Sequence, residues 1–125
     1  MSLLKGGCYY MVKKFNAGAS DSPKCCGGEG VARIDLLFDT KTFYSRPTWM
    51  GMVNLGPNDT VGYHQHTRDM EIYTIVKGKG IFNDNGTEVI VEPGDTTVTK
   101  IGEWHGIKAY DCDELSFVAT VIAEK

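Results

Sequence analysis

What limits this chain most is its punctuation. Short runs rich in β-branched and aromatic residues are each followed by a cluster of Gly, Pro, Asn or Asp, and the pattern persists from "VARIDLLF" (31–38) to "LSFVATVI" (115–122). Between them lie "TWMGMVNL" (48–55), "VGYHQH" (61–66), "EIYTIVKG" (71–78), "GIFND" (80–84), "TEVIV" (87–91), "TTVT" (96–99) and "EWHGIKAY" (103–110). Many short strands at near-regular spacing predict an all-β sandwich or barrel. Turn chemistry agrees: "NDNGTE" carries the Asn85–Gly86 pair of a two-residue hairpin, and in "EPGD" (92–95) Pro93 sets φ while Gly94 is free to take positive φ. Helical periodicity is weak, and 15 glycines break the chain too often for long helices.

A chain of 125 residues suits one domain, 1–125, with a core of its own. Its 13 basic and 16 acidic residues form no long run of either sign, which argues against a nucleic-acid or membrane partner. No apolar stretch approaches the roughly 20 residues needed to cross a bilayer. The start, "MSLLKGGCYYMV", makes a poor signal peptide because Lys5, Gly6 and Gly7 break it, so residues 1–12 read as a tag remnant or a flexible N-terminal segment and the cytoplasm is the expected compartment. Cys8, Cys25, Cys26 and Cys112 show no CxxC spacing, and the vicinal pair in "KCCGG" reads as free thiols in a Gly-rich turn.

Only three histidines occur, and two of them, His64 and His66, stand one residue apart. On a strand they project from one face while Gln65 points oppositely. "TRD" (67–69) reads as a turn and "MEIYTIV" as a returning hairpin strand with Glu71, Tyr73 and Ile75 on one face, which would bring the Glu71 carboxylate over the two imidazoles. The remaining histidine, His105, shares an apolar strand face with Ile107 and Ala109. Three neutral imidazoles and one carboxylate make a mixed N and O site for one divalent first-row metal, with positions left for water or substrate.

At these residues the chain resembles the cupins. The first cupin motif is Gly, five residues, His-x-His, three or four residues, Glu, six residues and Gly; His64, His66, Glu71 and Gly78 fit it, with Asn58 in place of the first Gly. Asn tolerates the left-handed turn that a Gly there would take. The second motif maps onto Gly94, Lys100, Gly102, His105 and Ala109, with Lys100 replacing Pro and Ala109 replacing Asn. Residues 58–109 carry the likeness, and the short connection Lys79 to Pro93 matches the small single-domain bacterial cupins; "GGEG" (27–30), "GYHQH", "EIYTIVKGKG", "FNDNGTEVIVEPGD" and "GEWHGI" together look like an oxalate-decarboxylase-like subgroup of them. The resemblance implies a double-stranded β-helix, a jelly-roll barrel with the metal inside its open end, often in a homodimer that packs sheets or exchanges a terminal strand.

A cupin fold does not set the reaction. The expectation is a metal-dependent enzyme on a small carboxylate or dicarbonyl compound, of decarboxylase, dioxygenase or isomerase type; the alternative is a non-catalytic module that holds a metal and a small ligand. Manganese or iron is favoured from the family, with zinc or nickel as other occupants. Tyr73, on the face of Glu71, and Glu103, two residues before His105, are the candidate acid–base groups, although Glu103 can equally cap its turn. Arg33, alternating with Val31, is expected to line the barrel and, with Tyr63, to contact substrate; Arg46 and Arg68 are the other arginines. Trp49 and Trp104 are aromatic candidates for a pocket wall.

Overall fold

The structure is a computed structural model that describes residues 8–9, 12–39, 41 and 47–124. Segment 1–12 and Arg46 lie largely or wholly outside the described residues. Among the described residues twelve strands run β1 (Cys8–Tyr9), β2 (Val12–Lys13), β3 (Ser20–Pro23), β4 (Val31–Phe38), β5 (Thr48–Leu55), β6 (Thr60–Gln65), β7 (Asp69–Lys77), β8 (Gly80–Asp84), β9 (Thr87–Val91), β10 (Thr96–Thr99), β11 (Trp104–Ala109) and β12 (Leu115–Ala123), with one 3-10 turn at Cys25–Gly27. No helix among the described residues is long and apolar enough to cross a membrane.

Strands β10, β7, β12, β5, β4 and β3 form a six-stranded sheet in that order, and β6, β11, β8 and β9 a four-stranded one. All pairings are antiparallel and the principal ones are nested: β8 with β9, β7 with β10, β6 with β11, β5 with β12. Successive pairs lie in opposite sheets, so a single two-stranded ribbon is wound around the core, which is the jelly-roll expected. Val53, Leu55, Tyr73, Ile75, Phe117 and Ala119 from the large sheet meet Val61, Phe82, Val91, Ile107 and Ala109 from the small one in a single apolar cluster. Alternate residues of each strand supply it, as the pleat requires.

The innermost hairpin turns at Asn85 (φ 51°) and Gly86 (φ 97°), two positive φ values that match the twist of a tight hairpin. Gly94 takes φ 95° behind Pro93. Two local readings need correction. Asn58 is not left-handed: Asp59 N donates to Gly56 O over Pro57 and Asn58, a turn with Pro at its second position that needs no positive φ. Nor do β6 and β7 make a hairpin, since β6 pairs with β11 in the small sheet and β7 with β12 and β10 in the large one. The "TRD" bend carries the chain from one sheet to the other instead.

On the outer face of the large sheet, the Asn16 and Asn54 side chains exchange two amide hydrogen bonds of 3.1 and 2.9 Å, and Ser116 Oγ donates to Asn54 Oδ1 at 2.7 Å. This polar clasp holds residues 14–19 against strands β5 and β12.

Candidate metal centre

The crossing from β6 to β7 sets the site's geometry. His64 sits on β6 directly opposite His105 of β11, so the small sheet places two imidazoles side by side. His66 follows at the end of β6, and Glu71 reaches over from β7 in the facing sheet. Between His105 and Ile107 the register shifts, with Gly62 and Tyr63 of β6 opposing the single Gly106 of β11, so β6 is bulged, and Gly106 lets the Tyr63 backbone approach so closely that a Cβ at 106 would lie 3.0 Å from it. Bulges of this kind re-aim side chains beside functional sites.

One ligand atom from each of His64, His66, Glu71 and His105 falls within a 4.8 Å cluster. The two buried Nε2 atoms of His66 and His105 are 2.9 Å apart, and Glu71 Oε1 is 3.2 and 3.1 Å from them. His64 is half-buried and the other three are buried, His105 completely.

The far side of every ring is occupied. His64 Nδ1 donates to Gly62 O at 2.6 Å, His66 Nδ1 to Asp69 Oδ1 at 2.5 Å, and His105 Nδ1 pairs with the buried Thr99 hydroxyl at 2.8 Å. A carbonyl and a carboxylate only accept, so neutral His64 and His66 carry their proton on Nδ1 and present a bare Nε2 lone pair to the centre. Outer partners of this kind orient metal-binding imidazoles and raise their basicity.

The electrostatics fit the same purpose. Burial pushes the Glu71 carboxyl up, but hydrogen bonds from His105 and His66 outweigh it and bring the group down to about 2. Its carboxylate in turn is the main reason that His66 is lifted to about 9. His64 is lowered, chiefly by burial. The charge of Glu71 favours a proton on His66; a divalent cation at the same point would satisfy all four donors at once.

Residues 51–121, from β5 through most of β12, match the Cupin domain family. The chain is a cupin. It is 33% identical over 96 residues to an oxalate-binding protein of Thermotoga maritima, a match covering 77% of this cupin and 79% of the relative. A T. maritima structure described as a predicted oxalate decarboxylase superposes at TM-score 0.81 with 30% identity, over 85% of this cupin and 92% of that chain. KdgF from Halomonas sp. shares the fold at 19% identity and TM-score 0.67, over 89% and 93% of the two chains.

The other residues singled out in the sequence are dispersed. Tyr73 is wholly inside, its ring stacked on His105 at 4.9 Å and its hydroxyl 3.4 Å from His105 Nε2. Burial raises its pKa well above the usual phenol range. Glu103 precedes β11; its carboxylate accepts from Lys100 N at 2.8 Å and from Asn85 Nδ2 at 3.4 Å, tying the turn before the strand. Arg33 does not line the barrel. It is exposed because Ala32 is the residue of β4 that turns inward, fully buried. Tyr63 is exposed and stacks on Trp104 at 5.4 Å, both outside the small sheet, whereas Trp49 packs against the core.

Sequence reading missed the three outer partners. Asp69 stands three residues after His66, a spacing that could have flagged it. Thr99 reaches His105 only through the pairing of β10 with β7, and the role of Gly62 belongs to its carbonyl, which no residue type signals.

Proposed function

We propose that this cupin holds one divalent metal through the Nε2 atoms of His64, His66 and His105 and a carboxylate oxygen of Glu71, and uses it to act on a small carboxylate or dicarbonyl compound. Manganese or iron is the favoured ion; zinc or nickel fits the same donors. The observation that carries the reading is the occupation of all three Nδ1 atoms, which leaves three imidazoles with their other nitrogen committed to one point. When bound, the metal supplies a Lewis acid for a coordinated oxygen and, as iron or manganese, one-electron capacity.

The chain's own groups supply the rest. Tyr73, kept protonated by burial, can donate its hydroxyl proton in a hydrogen bond to a ligand beside His105. Phe82 and Tyr73 wall the buried side of His105, leaving half-buried His64 as the approachable edge. A cavity lined by Phe82 and by residues of the edge strands β9 and β10 carries Asp84 and Asp95, carboxylates that would repel an anionic substrate. A carboxylate is therefore expected to enter past His64. In this reading the protein is cytoplasmic and homodimeric, the latter supported by exposed Val76, Val98 and Ile122 on the outer face of the large sheet.

A second reading, a non-catalytic module for a small carboxylate, draws on two observations. The Glu103 carboxylate is spent on its turn, and the T. maritima relative is named for binding oxalate. Elemental analysis of protein purified without a nickel column, followed by oxalate calorimetry and product assays with and without oxygen, separates the two. Metal at about one per chain with oxalate consumed supports the enzyme; metal-dependent binding without product supports the module. An empty site that refuses added manganese, iron and zinc removes both.

A further inference from the structure

Cys25 and Cys26 lie in the only 3-10 turn among the described residues, and this turn rests on the strand that carries His64. Their sulfurs are 3.9 Å apart, within thiol hydrogen-bond distance. Cys26 is exposed, and Cys25 is half-buried against the apolar core. Lys24 and Cys26, on either side of Cys25, are both in the left-handed region at φ 49° and 52°, a placement non-glycine residues seldom take without a local reason. The turn is pinned to β6: Thr60 N donates to Glu29 O, Glu29 N to Thr60 Oγ1, and a Cβ on Gly62 would collide with the backbone of Cys26, Gly27 and Gly28. The Gly62 carbonyl is the group that holds His64 Nδ1.

We propose that Cys25 and Cys26 form a redox modification site, a vicinal dithiol that hydroperoxides convert to a disulfide, and that closing the bridge shifts His64 through Gly62. Cys25 is the attacking sulfur: a hydrogen bond from the Cys26 thiol, helped by Ser22 and opposed by burial, brings it down to about 7, so an appreciable fraction is thiolate at neutral pH. The Cys25 sulfur attacks the peroxide, the O–O bond breaks, and the leaving oxygen takes a proton to become water or an alcohol. The Cys26 sulfur then attacks the Cys25 sulfenic acid, the S–O bond breaks and water departs. The pair loses two electrons and the peroxide gains two.

Closure has to move the backbone. Adjacent Cα atoms across a trans peptide are about 3.8 Å apart, whereas bridged cysteines usually keep theirs at roughly 4.4–6.8 Å. The peptide bond fixes that separation, so closure has to be met by rotation about the φ and ψ of Cys25 and Cys26 that brings their sulfurs from 3.9 Å to about 2.05 Å, and with Gly62 packed against the turn that rotation reaches the carbonyl that orients His64.

The test is hydrogen peroxide treatment of both metal-free and metal-loaded protein. Tryptic mapping is expected to show the peptide from Cys25 to Arg33 two hydrogens lighter and resistant to alkylation until reduced. Cys26→Ser is expected to stop at a dimedone-trappable sulfenic acid on Cys25, and Cys25→Ser to consume peroxide about tenfold more slowly. In the metal-free protein, bridging is expected to move the His64 imidazole nitrogen resonances, a readout independent of any bound metal. A bridge-free product in the wild type, or equal rates for the two serine variants, overturns the dithiol site. Bridging that leaves the His64 resonances in place overturns the coupling, while failure to bind metal would count against the proposed function and leave the thiol result intact.

Discussion

The imidazole Nδ1 partners decide how the centre behaves residue by residue. Asp69 and Thr99 are not themselves candidate ligands, yet each fixes a ligand's ring. Asp69→Asn and Thr99→Val are therefore expected to lower metal affinity by about 10- to 100-fold while leaving the fold intact, as chelator competition would measure. Titration behaviour follows from the same contacts. His66, lifted to about 9 from 6.5, stabilises the metal-free fold fully below pH 6.5 and loses that contribution as pH rises through about 9. Glu71, depressed to about 2 from 4.5, stabilises it fully above pH 4.5 and loses that contribution as pH falls through about 2. Metal-free protein is expected to show its highest Tm between those limits in calorimetric scans, with Glu71→Gln flattening the acid side; a Tm that climbs from pH 7 to 9 would contradict the pairing. Metal uptake should run the other way, strengthening up to about pH 9, because His66 has to release its proton to ligate.

Strands and turns differ in how openly the sequence declares them. β4, β5, β8, β9 and β10 have the bounds their apolar runs announce, because alternation and flanking turn residues are local signals. β3, "SDSP", has no apolar alternation; it is an edge strand held by pairing with β4 alone, and only tertiary contact reveals it. Pairing was the harder part: the apolar pattern assigned Glu71 the right face but the wrong neighbour, since local spacing favours a hairpin whereas the nested ribbon sends β6 and β7 to opposite sheets. The ligand cluster was legible because face parity survives that change. Arg33 was misplaced because its strand alternates around Ala32, whose single methyl gives a weak hydrophobic signal.

At the scale of the molecule, the centre joins the two sheets: three histidines come from β6 and β11 of the small sheet or its end, and Glu71 from the large one. An ion held there cross-links layers otherwise joined by apolar packing. Manganese at a hundredfold excess over its Kd is expected to add about 2.7 kcal/mol to unfolding stability, and His64→Ala with His66→Ala to abolish that increment while the barrel still folds, at a metal-free Tm lowered by loss of the His66–Glu71 pair; an increment that survives the double substitution would put the ion elsewhere.

The nested ribbon also carries a timetable. Its β8–β9 hairpin closes over two residues, Asn85 and Gly86, whereas β5 and β12 meet only after the whole ribbon between them has been gathered. Loop-closure entropy makes the inner pair the cheapest to form and each outer pair conditional on the one inside it. Assembly should therefore zip outward from the tip, with the metal ligands converging only once β6 has met β11. Gly86→Ala, at φ 97°, is expected to slow refolding far more than it speeds unfolding, and Asn54→Ala at the ribbon's far end to do the reverse, a contrast that stopped-flow chevrons would read directly.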